Sequence, residues 1–387
     1  MDKDKMKRIM GTAFRKIRRL AGCLLNHLIP KNDQYILIHT SLGYRDNVKA
    51  IGDYLFECGL SNKYTVFCDL PNENDIPLVP RSFSVITSKL RAYSAFFRSK
   101  YVFYAFGQIS VKPARGQVVI NMWHGTPLKK IGNLETENKQ DRFFFTHVLA
   151  ASELYRPVFA EAFACPTDNV YVCGHPKNDV LFRDNPWPEC VCKMRYILWT
   201  PTFRKSSLLN IDNGELQNTV PLFSFEQLDS LNCYLKKKEI HMIVKRHPIE
   251  DVDESVQMDF SNLHIFTHRQ FVAKGYELYA VASNAMALVT DYSSMAFDYM
   301  LLDRPIGYTV DDLNEYQNKR GLIFDNPFDF MPGEKIGNPE QFFGFIDHCI
   351  RKVDPYSDER KRVNNLVNQY KDGENCKRVL RLAGIIE

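Results

Sequence analysis

From residue 34 onward the chain alternates short apolar runs of strand length with longer amphipathic stretches, and it does so in two series. QYILIHT (34–40), KYTVFCDL (63–70), SFSVITS (82–88), KYVFYAF (100–106), QVVINMW (117–123), HVLAAS (147–152) and NVYVCG (169–174) make the first, with a helix over 46–59 ending at Cys58-Gly59. RYILWTPT (195–202), EIHMIVKRHP (239–248), NLHIFT (262–267), MALVTDYSS (286–294) and RPIGYTV (304–310) make the second. Strands that alternate with helices assemble into open parallel sheets. RDNPWPEC (183–190), with two prolines and little periodicity, reads as the linker between the series. At 387 residues the chain is too long for one ordinary core. The expectation is an α/β chain of two doubly wound domains, 31–185 and 186–355, with a segment 1–30 before them and a charged helix over 356–387 after them.

Segment 6–28 carries the clearest helical pattern. Met6, Ile9, Met10, Ala13, Phe14, Ile17, Leu20, Ala21, Leu24, Leu25 and Leu28 fall on one face at 3.6 residues per turn, Lys7, Arg8, Arg15, Lys16, Arg18 and Arg19 fill the rest, and Pro30 ends the helix. Acidic residues are absent from it. A basic amphipathic helix of this kind lies in the headgroup layer of an anionic membrane surface. The alternative is that its stripe packs on the protein's own core.

Composition excludes several classes. The net charge of +4 is locally mixed and gives no nucleic-acid footprint. The ten cysteines form no CxxC pair, which suits reduced thiols of a cytoplasmic protein. No apolar run reaches the length of a spanning helix. Asp251-Val252-Asp253 sits in an acidic loop with no strand before it, and neither a GKS/T loop nor HExxH occurs, so no metal or cofactor is expected.

The unusual polar residues sit at the carboxyl ends of the expected strands, where open α/β sheets bind ligands. In the first series these are His39-Thr40-Ser41, Trp123-His124-Gly125-Thr126 and Gly174-His175-Pro176-Lys177-Asn178-Asp179. In the second they are Thr200-Pro201-Thr202-Phe203-Arg204, Lys245-Arg246-His247-Pro248 and Thr290-Asp291-Tyr292-Ser293-Ser294. Gly125 lets a ligand approach the backbone beside His124, and a histidine there takes a proton from a hydroxyl near neutral pH. Arg204, Lys245, Arg246 and His247 suit a diphosphate and its departing charge. A helix starting near Ser293 offers free N–H groups and two hydroxyls to a phosphate, or Ser293 and Ser294 simply cap it.

WHGTPLKKIG (123–132), GHPKNDVLF (174–182), ILWTPTFR (197–204), KRHP (245–248) and TDYSSMAFDYMLLDRP (290–305) closely resemble the CDP-glycerol glycerophosphotransferase family, whose members build teichoic acids and related polyol-phosphate capsules. SLGYRDN (41–47) is similar to that family's first loop, and the likeness is collinear from about 34 to 332. The resemblance implies a GT-B architecture: two Rossmann-like domains facing a central cleft, the first (31–185) on the acceptor side, the second (186–355) binding the CDP-activated donor. It implies peripheral, monotopic association with the cytoplasmic face of the membrane through the N-terminal helix. His124 would be the base that activates the acceptor hydroxyl and His247 a donor-phosphate contact that helps CMP leave. Ser293 and Ser294 would cradle the diphosphate, with Arg204, Lys245, Arg246 and Asp291 around the donor. Ser41, Asn47, Gly125, Thr126, Lys129 and Asp179 would line the acceptor side. This chain departs from the family pattern at His175-Pro176-Lys177, Phe203 and Ser283-Asn284, which bears on donor polyol and acceptor more than on reaction type.

The expected reaction is transfer of glycerol phosphate from CDP-glycerol to a hydroxyl of a glycan, lipid-linked or polyol-phosphate acceptor, releasing CMP. CDP-ribitol is the alternative donor. The alternative classes are a GT-B glycosyltransferase using a sugar nucleotide and a non-catalytic membrane-surface protein that binds anionic polymer.

Overall fold

Seven strands, all parallel, form the first sheet: β1 (Asn32–His39), β2 (Thr65–Asp69), β3 (Ser84–Ile86), β4 (Ser99–Tyr104), β5 (Val118–Asn121), β6 (His147–Ala150) and β7 (Val170–Val172), in the order β3-β2-β1-β4-β5-β6-β7. The computed structural model describes residues 19–135, 142–202, 205–206, 211–212, 220–246 and 259–387. β1 shows why the apolar runs become strands. Ile36 and Ile38 enter one core cluster and Leu37 the other, on opposite faces of the sheet. Helices cover both faces of such a sheet, so consecutive residues are all apolar.

The second sheet contains β8 (Tyr196–Trp199), β11 (His241–Lys245), β12 (Leu263–Phe266), β13 (Ala287–Thr290), β14 (Ile306–Thr309) and β15 (Glu334–Ile336), ordered β12-β11-β8-β13-β14-β15 and again wholly parallel. Between β8 and β11, two-residue strands β9 (Lys205–Ser206) and β10 (Ile211–Asp212) pair antiparallel. Each run expected to be a strand contains one. β15 and the β9–β10 ribbon were not expected, being too short for a period to show.

In both sheets the strand order reverses at a central strand. The first sheet grows from β1 toward β3 and then resumes with β4 on β1's other side; the second grows from β8 toward β12 and resumes with β13 beside β8. The gaps above β1/β4 and β8/β13 are therefore topological switch points, where neighbouring loops diverge and leave a crevice.

The chain forms two compact units whose boundaries are more interleaved than a single linker near 185. The first contains the described residues up to His124, those from 142 to Asp179, and Glu374–Glu387; the second contains the described residues from Gly125 to 135 and Val180–Gly373. Leu128 and Lys130 exchange backbone bonds with Ile323 and Gly321, which holds the segment after His124 in the second unit. The expected single helix over 356–387 is two, Ser357–Val367 and Asn375–Leu382. Arg360, 1% exposed in its side chain, anchors the former to Asp303 and Asp354. The latter buries Cys376, Val379 and Leu380 in the core of the first unit.

Of the N-terminal segment expected to be helical, 6–18 lies outside the described residues and 19–28 is helix. Asn26 is fully buried and bonds to the Lys112 carbonyl and Gln117 Oε1. Leu20, Leu24 and Leu28 point outward at 68%, 63% and 69% exposure. This helix therefore docks through Asn26, with Cys23 packed on a core cluster, and turns Leu20, Leu24 and Leu28 away from the protein. Among the described residues no helix is long and apolar enough to cross a membrane.

At the far edge of the second sheet His241 Nδ1 and His264 Nε2 share a hydrogen bond at 2.9 Å. Burial, then the neighbouring His241 and Lys274, push His264 down to about 4 from an ordinary value of 6.5. The unfolded chain thus binds a proton in the window from roughly 6.5 to 4 that the fold excludes, so stability is full above it and falls as pH drops through it. The urea midpoint should decrease from pH 7 to pH 5, and His264→Phe should flatten that decrease; an unchanged slope in the variant would refute the assignment.

Candidate functional site

The Trp123–His124 turn has no ladder to hold it, because β5 ends at Asn121. Trp123 adopts a left-handed φ of 51°, a strained conformation for a bulky residue. Two asparagines hold it there. Asn121 Oδ1 accepts from the Trp123 N–H at 3.0 Å, and Asn47 Nδ2 donates to the Trp123 carbonyl at 2.9 Å and to the Met122 carbonyl at 3.3 Å. Asn47 Oδ1 accepts from the Lys177 N–H at 3.0 Å, and Lys177 Nζ donates to the His124 carbonyl at 2.8 Å. The His124 ring lies between Phe106, stacked at 4.9 Å and 12°, and Trp123 at 3.9 Å. Rings on both faces fix the imidazole plane.

The first unit thus brings His124, Asn47, Lys177 and Asp179 to the carboxyl ends of β1, β5 and β7, with Asn47 and Asp179 holding backbone. Asn47 is fully buried and holds backbone rather than facing an acceptor. Asp179, 3% exposed, accepts from the N–H groups of Asn375 and Cys376 at 2.8 and 2.7 Å and so fastens the start of the last helix. Both were expected on the acceptor side because they lie within the family-like segments 41–47 and 174–182. A buried amide with every arm bonded, and a carboxylate receiving two N–H groups, act through the backbone they place. Ser41 is exposed at the end of β1. Gly125 and Thr126 are buried and Lys129 is half-buried, all three in the second unit.

At the β8/β13 switch point, Asp291 Oδ2 accepts from the Thr202 N–H at 2.9 Å and its hydroxyl at 2.8 Å, and the Thr290 hydroxyl donates to the Thr200 carbonyl at 2.8 Å. Asp291 is fully buried and pins the two loops together through its Oδ2. Ser293 Oγ accepts from the Met295 N–H at 3.2 Å at the start of helix Met295–Tyr299, with Ser294 beside it. Lys245 ends β11 with its ammonium over the Phe271 ring at 5.8 Å, and Arg246 follows, half-buried. Arg204, Phe203, His247 and Asp251-Val252-Asp253 lie outside the described residues. Among the described residues no three His, Cys, Asp or Glu side chains gather closely enough to hold a metal ion.

One feature of the site went unread in the sequence: His39 at the end of β1 pairs with Asp69 at the end of β2, Nδ1 to Oδ2 at 2.6 Å. The available signal was that both residues close an expected strand.

A family model described as CDP-Glycerol:Poly(glycerophosphate) glycerophosphotransferase matches residues 23–383. The teichoic acid glycerol-phosphate primase of Bacillus subtilis (strain 168) is 27% identical over 279 residues, 67% of this chain and 66% of that protein. The teichoic acid glycerol-phosphate transferase of Staphylococcus aureus (strain NCTC 8325 / PS 47) is 23% identical over 92% of this chain and 94% of that one. Of the first curated relatives it matches, the chain spans 42 to 66% of their length. The solved structure of the wall teichoic acid polymerase TagF superposes with a TM-score of 0.74 at 18% identity, covering 98% of this chain and 96% of that one, so the two share their fold.

Replacing Asn47 with Ala would strand buried backbone groups at about 1–3 kcal/mol each. With three such groups the urea-unfolding free energy should fall by about 3 kcal/mol or more, with a change in Trp123 emission as its turn relaxes; a neutral effect on both would show that the turn holds itself.

Proposed function

Because the chain belongs to the CDP-glycerol:poly(glycerophosphate) glycerophosphotransferase family, we propose that it transfers a polyol phosphate from a CDP-activated donor to a hydroxyl acceptor and releases CMP. CDP-glycerol is the donor of this reading. The family description names it, and a TagF structure is described as a variant soaked with CDPG. CDP-ribitol is the second reading, favoured by relatives that are ribitol-phosphate polymerases.

The observation that carries the proposal is the His124 ring, fixed between Phe106 and Trp123 at a strand's carboxyl end by a strained turn. Strain kept in place by four side-chain bonds is a feature of functional sites. In the proposed step His124 takes the proton of the acceptor hydroxyl as its oxygen attacks the β-phosphorus in line. The bond from that phosphorus to the bridging oxygen breaks, and CMP leaves with the electron pair. Arg204, Lys245, Arg246 and His247 neutralise charge on the equatorial oxygens and on CMP, with Ser293, Ser294 and the neighbouring N–H groups cradling the diphosphate and no resident metal. Asp291 keeps the cradle's two loops together through Thr202. The acceptor is a glycan, lipid-linked or polyol-phosphate hydroxyl.

The same reading places the chain peripherally on the cytoplasmic face of the membrane. Its support is the helix whose buried side is Asn26 and whose outer side is Leu20, Leu24 and Leu28. An apolar stripe of this kind sinks into the acyl boundary of a bilayer.

His124→Ala should lower CMP release from CDP-glycerol by about a hundredfold or more, the ordinary loss for a removed general base, while CDP binding measured by calorimetry stays within a factor of two of wild type. Ordinary turnover in that variant would remove His124 from the step. Converting Leu20, Leu24 and Leu28 together to Ser should release the chain from sedimenting anionic vesicles; undiminished sedimentation would assign the binding elsewhere.

A further inference from the structure

The carboxyl end of the first sheet holds a second imidazole that the step above leaves without a task. His39 and Asp69 are direct partners across β1 and β2. Their side chains are 16% and 11% exposed, and a carboxylate has no proton to give, so Nδ1 of His39 carries a hydrogen and, in the neutral ring, Nε2 presents its lone pair. Among the described residues no group bonds to that Nε2.

Gly107 shows where the lone pair faces. Its φ is +71°, and a Cβ there would lie 2.8 Å from Ser41 Oγ and 3.7 Å from His39 Nε2. Both atoms therefore border one point above the β1/β4 gap, the switch point of the sheet, and only glycine leaves that point empty. Ser41 donates its N–H to the Phe106 carbonyl at 3.0 Å, and the ring of Phe106 is the one stacked on His124. The His39–Ser41 edge and the proposed base thus share one residue as neighbour.

We propose that His39 Nε2, oriented by Asp69, and Ser41 Oγ form a polyol-hydroxyl subsite beside His124, holding a second hydroxyl of the acceptor while His124 takes the proton of the attacking one. The identity of the ligand as an acceptor rests on the transferase reading; the subsite's chemistry does not. A lone pair accepts an O–H, Ser41 both donates and accepts, and the negative charge of Asp69 disfavours a phosphate at the same point. His39 is in this account a specificity-determining contact and Asp69 a positioning residue.

The test is nitrogen NMR of the full chain labelled at histidine, with His39 assigned from a His39→Gln sample, at about pH 8, above the ordinary imidazole value of roughly 6.5. His39 should appear as the Nδ1–H tautomer. Its Nε2 signal should move on adding glycerol or ribitol and stay still with inorganic phosphate. Asp69→Asn, whose amide donates to Nδ1, should reverse the tautomer and weaken the polyol response about tenfold, one hydrogen bond's worth. Ser41→Ala, at an exposed position, should weaken it with the fold intact. A response to phosphate but not to the polyols, or no response to either, overturns the subsite. A polyol response in a chain that releases no CMP from CDP-polyols would keep the subsite and sink the transferase reading; turnover with a silent His39 would do the opposite.

Discussion

The side-chain amide of Asn47 sits where two pieces of backbone meet outside any ladder: the strand exit at 122–123 and the loop at Lys177. Each piece carries polar groups that burial would leave unsatisfied, and one fully buried amide bonds to all of them. The left-handed Trp123 follows from that anchoring, and so does the plane of the His124 ring beside it. Asp291 does the corresponding work in the second unit, joining the loops after β8 and β13 through Thr202. In both units the loops at the switch point diverge, so the fold leaves a crevice there and a buried polar residue keeps its rim in place.

This explains how motif residues divide. Asn47, Asp179 and Asp291, all buried in family-like segments, hold backbone; the proposed ligand contacts His124 and Ser293 are less buried, and Lys245 is buried at the end of its strand. A motif conveys which residues matter without conveying which way they face. Burial and bonding show what each one holds: Asp291 joins two loops through Thr202, and Asp179 receives the N–H groups of Asn375 and Cys376.

Strands were legible because parallel sheets covered on both faces need uninterrupted apolar runs, and Ile36-Leu37-Ile38 or Tyr196–Trp199 can be little else. Strand order was not, because the reversal at β1 and β8 is a matter of non-local pairing. Nor was the return of Asn375–Leu382 to the first unit, which depends on Asp179 bonding across a sequence separation of 196 residues. The departure of the chain into the second unit at Gly125 was hidden likewise, since its partners are Gly321 and Ile323. The His39–Asp69 pair spans 30 residues with no local spacing rule to expose it. The leucine face of 19–28 was visible as a stripe, but only the buried Asn26 on its other side shows which way the stripe turns.

Turnover is what separates the proposed polyol-phosphate transfer from binding alone. Phosphorus NMR of the wild-type chain with CDP-glycerol, or with CDP-ribitol, and an array of glycan, lipid-linked and polyol-phosphate acceptors reads it most directly. Transfer should deplete the diphosphate resonances with matching growth of CMP and of a new phosphodiester. A folded chain that binds the nucleotide yet yields neither CMP nor phosphodiester with any of them would contradict it.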